Sequence, residues 1–130
     1  MMTAVKVEIS PGELIDRITI LEIKAARIGD ETKRANIGVE LSELTAARQA
    51  AVPLSDRLTA LTGELKEVNQ ALWDIEDEIR ALEAAMDFGP AFVELARAVY
   101  KTNDRRSALK RKINELLGSR LIDEKSYTPY

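Results

Sequence analysis

The chain contains no cysteine and no histidine. Without cysteine, disulfides and thiol chemistry are excluded. With both missing, the usual zinc sites and every histidine-based general base or triad fall away as well. Aromatic residues make up only 5%, so the core is expected to be aliphatic, which suits long helices better than a sheet. No apolar run reaches the ~20 residues that span a bilayer. The opening MMTAVKVEIS has no basic stretch followed by an apolar one, so no secretion signal is read there. A net charge of −3 is too small to favour a basic or acidic partner. These absences lead to the expectation of a cytoplasmic protein, one helical domain over 1–130, with no cofactor, zinc or other metal, no membrane contact and no nucleic acid.

What is present is a long apolar seam. Leu54, Leu58, Leu61, Leu65, Val68, Leu72, Ile75, Ile79, Leu82 and Met86 are spaced alternately four and three apart. That is the a/d stripe of a coiled-coil-like helix. A helix of that span is about 50 Å long.

Taken in order, Val5, Val7 and Ile9 alternate with polar residues and read as a short N-terminal strand. Ser10-Pro11-Gly12-Glu13 reads as a helix start with a capping box. The stripe behind it predicts a first helix over 11–28, ended by Gly29, with Asp30 capping a second. The second, 31–51, is the weakest, because Gly38 lies inside it and Arg48 interrupts its apolar stripe. Pro53 separates it from the third helix, 55–86; a single kinked rod is the alternative. Asp87 to Pro90 is a turn, and a fourth helix follows over 90–117, stopped by Gly118-Ser119. The expected fold is an all-α antiparallel bundle built around a long hairpin of the third and fourth helices.

Counting back from each turn gives antiparallel partners. Leu44 should face Leu61, Ile37 should face Val68, and Asp74 should face Asn103. The first two helices then cover the third only as far as Asp74. Beyond it, two helices alone carry Ile79, Leu82, Met86, Phe88, Phe92 and Leu95. Two helices cannot bury that much apolar surface between themselves, so a homodimer joined at this tip is expected.

Between Tyr100 and Leu109 the seam of the fourth helix turns polar. Opposite lie Asn69, Trp73, Asp77 and Arg80, on one stripe of the third helix. Two readings stay open. In one, Arg106 is a buried register-setting charge paired by Asp74 or Asp77. In the other, Arg105, Arg106 and Lys110 form an anion site with Trp73 as a stacking wall. The pairs Glu64/Glu67 and Asp74/Asp77 raise a remote third possibility, a magnesium-dependent all-α nucleotide hydrolase. Both pairs stand on one helix, however, and do not converge easily.

ISPGELIDRITILEIK, VNQALWDIEDEIR, FVELARAVYKTNDRRSALKRKINELLGS and EKSY resemble a family of small bacterial proteins classed only as a domain of unknown function. The resemblance covers about two-thirds of the chain and implies no activity. It draws attention to Glu13, Asp16, Arg17, Asn69, Trp73, Asp77, Tyr100, Asn103, Asp104 and Arg106. Register and resemblance together give a candidate ligand-binding set of Asn69, Trp73, Asp77, Tyr100, Asn103, Asp104, Arg106 and Lys110, and no catalytic residue. The reading is a non-enzymatic interaction module that forms a homodimer and has room for an unknown protein partner. Binding of a small anion at the patch is its alternative.

Overall fold

Side-chain caps fix where the helices begin. Ser10, Asp30 and Ser55 each accept a hydrogen bond from the backbone N–H three residues on, at Glu13, Lys33 and Leu58, which satisfies donors that a helix start leaves free. The computed structural model describes residues 2–130 and has four helices: α1 (Pro11–Arg27), α2 (Glu31–Ala51), α3 (Asp56–Ala84) and α4 (Pro90–Leu116). The fold is all-α, and α2 and α3 are separate helices rather than one rod. No described helix is long and apolar enough to cross a membrane.

The capping box is only half formed. Glu13 does not reach back to the cap residue, because its carboxylate is taken by Lys110 and Arg17. Nor does Gly29 end α1 in a left-handed turn; Gly118 is the one glycine with positive φ. Instead the Arg34 guanidinium donates to the carbonyls of Ala25 and Ile28, at 2.5 and 2.9 Å. A side chain from α2 thus closes the end of α1.

The end of the fourth helix carries the expected glycine stop. At the end of α4, Ser119 N–H donates to Asn114 C=O and Gly118 N–H to Glu115 C=O, with Gly118 at φ 63. This is the Schellman motif. The same pair of bonds ends α3, from Asp87 to Leu82 and from Met86 to Glu83. There the left-handed residue is Met86, at φ 55.

The core forms where three helices meet. Ile15 of α1 enters between α3 (Leu58, Leu61, Leu65, Val68) and α4 (Leu109, Ile113). Fully burying one such side chain is worth about 1.5–3 kcal/mol, so this cluster anchors the base of the hairpin. α1 runs parallel to α3 and antiparallel to α4: Asp16 meets Asn69 and Arg106, Arg27 meets Asp74, and Gly12 meets Asn114.

The expected facing of α2 on α3 is not found. α2 packs against α1 alone, and Ile37 is its one buried residue. The cause lies in α1, which buries Leu14, Ile15, Ile18, Leu21 and Ile23. The helix with the strongest apolar stripe takes the central position, and the weakly striped α2 is left on the outside.

Among the described residues no strand forms. Val5 and Val7 are exposed, because a single strand with no neighbour has nothing to satisfy its backbone. The segment does lie beside the tail, where Glu8 pairs with Arg120. The tail, 117–130, has no regular structure. It folds back along α4, held by Arg111 to Glu124 and by Tyr130 to Asp104.

Candidate functional site

Asp16 is the centre of the polar chemistry. It sits on α1 with no exposed surface. A buried carboxylate must be paired or it costs several kcal/mol. Here Arg106 supplies a two-pronged pair, Nε to Oδ1 at 3.0 Å and Nη2 to Oδ2 at 2.5 Å. Asn69 Nδ2 adds a third donor, to Oδ1 at 2.9 Å, and also donates to Thr19 Oγ1. The Thr19 hydroxyl in turn donates to the Asp16 carbonyl. One network thereby joins α1, α3 and α4.

The network continues down the α1–α4 contact. Arg106, Lys110 and Asn114 are four apart and share one face of α4. Lys110 Nζ donates to Glu13 at 2.6 Å, and Asn114 Oδ1 accepts from Gly12 N–H at 2.7 Å. The helices approach closely at Gly12, where an added Cβ would lie 2.6 Å from the Lys110 carbonyl. The fork from Asp16 raises the Arg106 pKa, outweighing burial. Burial pushes the Glu13 carboxyl up, but hydrogen bonds from Lys110 and Arg17 prevail and hold it below its ordinary value.

Arg106 is therefore paired by Asp16, not by Asp74 or Asp77 as register counting predicted. Asp74 is engaged by Arg27 at 2.6 Å, whose guanidinium also lies 5.7 Å over the Trp73 ring. Counting across turns aligned α4 only with α3. It carried no information about α1, which docks between them without a turn to either. Thr19 and Asn114 were missed for the same reason. Asp16 is among the residues to which the resemblance draws attention, and on the helix it lies beside Ile20 and Ile23.

The eight candidate ligand-binding residues do not form one patch. They line two clefts that share Asn103 and Arg106. Asn69, Trp73 and Asp77 face a cleft of about 620 Å³ between α3, α4 and the Ile20–Ile23 side of α1. Tyr100, Asp104 and Lys110 face a larger cavity, about 1000 Å³, between α4 and the returning tail. Tyr127 and Tyr130 complete its wall. Tyr100 and Tyr130 meet edge to face at 5.3 Å. The Tyr130 hydroxyl donates to Asp104 at 2.5 Å, and that bond to a carboxylate raises the phenol pKa.

Glu64, Glu67, Asp74 and Asp77 are all exposed on α3. Among the described residues, no three metal-ligating side chains converge. The six tip residues lie together beyond the end of α1. Ile79, Leu82, Phe92 and Leu95 are half-buried, while Met86 and Phe88 are 77% and 53% exposed.

The chain belongs to a family of unknown function (DUF6165), whose model matches residues 5–130. No curated protein and no solved structure matches it.

Proposed function

We propose that this protein is a helical interaction module that forms a homodimer through the free end of its α3–α4 hairpin. The observation that carries this reading is the uncovered apolar tip. The last pairing of α1 with α3 is Arg27 to Asp74. Past it, α3 and α4 have only each other. Met86, Phe88 and Val93 remain more than half exposed, and Phe88 stacks edge to face on Phe92 rather than entering a core. Covering such a surface is worth about 25 cal/mol per Å².

Charge favours a second copy as the cover. The tip of α3 carries Glu76, Asp77, Glu78 and Glu83 against Arg80; the facing part of α4 carries Arg97, Lys101 and Arg105 against Glu94 and Asp104, a smaller basic excess. Two hairpins set side by side place acidic α3 against basic α4 twice, in the coiled-coil-like manner of a four-helix bundle. Sedimentation velocity at tens of micromolar is the test. The wild type is expected at twice its 14.5 kDa, and Phe88→Glu as a monomer with unchanged helix content. A wild-type monomer at that concentration sinks the proposal.

A second reading, binding of a small anion beside Arg106, is favoured by one observation. Only Nε and Nη2 of that guanidinium are used by Asp16, and its Nη1 is free to donate.

A further inference from the structure

We propose that the cavity between α4 and residues 125–130 binds a small aromatic anion, a single ring carrying one carboxylate or phosphate group. The proposal rests on the anion reading of Arg106 and adds to it a place and a ligand class. Its volume of about 1000 Å³ is at the upper end of the range for small-molecule sites. The chain has three tyrosines, and all three line this one cavity. Tyr100 and Tyr130 pack on each other at the rim. Tyr127 has no aromatic partner and is 77% exposed, so its ring face is open to a planar guest.

The anion end is set by α4 and the tail together. Arg106 and Lys110 stand one turn apart on the floor, and Lys125 comes from the opposite wall. Arg106 has Nη1 to spend. Lys110 uses one of its ammonium donors on Glu13, and two remain. The one acid in the lining, Asp104, is already occupied by the Tyr130 hydroxyl.

Behind the floor, Asp16 and Glu13 balance the charges of Arg106 and Lys110. Lys125 is balanced likewise by Asp123 at 3.5 Å, so the cavity presents N–H donors whose charges are paired, not a broad positive field. That selects a compact single anion over a polyanion such as nucleic acid, whose binding needs many unbalanced cations.

The test is calorimetric titration of the full chain with benzoate, phenyl phosphate, inorganic phosphate and phenol. At least one aromatic anion is expected to bind with unit stoichiometry, roughly tenfold or more tighter than inorganic phosphate and phenol. Lys125→Ala and Tyr127→Ala sit on the exposed tail and should leave the melting temperature unchanged, while each weakens that binding by roughly tenfold. Inorganic phosphate binding as tightly as phenyl phosphate overturns the aromatic site but leaves the anion reading standing. Equal binding of phenol, or no effect of the two tail variants, overturns the cavity assignment. No binding of any anion at millimolar concentration removes both readings.

Discussion

A single carboxylate, Asp16, holds three helices through Arg106 and Asn69. Its full burial decides the sign of the test at Arg106. Arg106→Leu would strand an uncompensated charge, at about 3–5 kcal/mol. Changing Asp16 to Leu as well removes that charge, so the double variant should be more stable than Arg106→Leu alone. Urea midpoints of the four proteins give the cycle. Glu13 supplies a pH test. Its folded pKa lies below the ordinary 4.5, so its stabilising contribution is complete above that value and is lost as pH falls through the folded one. The gap in melting temperature between wild type and Glu13→Gln should hold steady at neutral pH and close as the pH drops below 4.5. A gap that widened on acidification would contradict this assignment.

At the scale of the element, Met86 is out of place. It occupies the left-handed position that ends α3, at φ 55, where an L side chain costs about 1–2 kcal/mol. Glycine carries no such cost, though it gives back some as chain entropy. Met86→Gly should raise stability by about 0.5–1 kcal/mol, read from thermal unfolding, while removing an apolar side chain from the tip. Four helices and their ends were legible because Ser10, Asp30, Ser55 and Gly118 act within a few residues of themselves. The division of α3 at Asp74 was expected as well, but from a facing of α2 on α3 that does not occur; α1 alone supplies the cover. What could not be read was packing between elements that no short turn joins, or that α2 and α3 would part despite the short break between them. The docking of α1 against α4, the outward place of α2 and the return of the tail over α4 all depend on surfaces distant in sequence. The candidate site suffered most. Eight of its residues were named, but Thr19, Asn114 and the tail's Lys125, Tyr127 and Tyr130 were not; the separation into two clefts follows from where α1 and the tail lie, and periodicity says nothing of either.

At the scale of the whole molecule, the structure is a well-anchored base and a poorly covered tip. The acidic and basic halves of the tip make the proposed dimer sensitive to salt. Exposed charges are screened within about 8 Å at physiological ionic strength and within about 3 Å at 1 M. The dimer dissociation constant should therefore rise between low and high salt, as followed by sedimentation equilibrium. A constant unchanged or lowered by salt would assign the association to apolar contact alone.

The hydrogen bond from Gly12 to Asn114 spans 102 residues of chain, and this sets an order of events in folding. Closing so long a loop costs chain entropy before any contact rewards it. The α3–α4 hairpin needs only the short turn at 85–89 to close. α1, with α2, is then expected to dock last, so that Asp16→Asn should speed unfolding more than it slows folding in stopped-flow measurements. The buried Asp16–Arg106 pair is in this sense a latch. It governs how slowly the protein comes apart far more than how quickly it assembles.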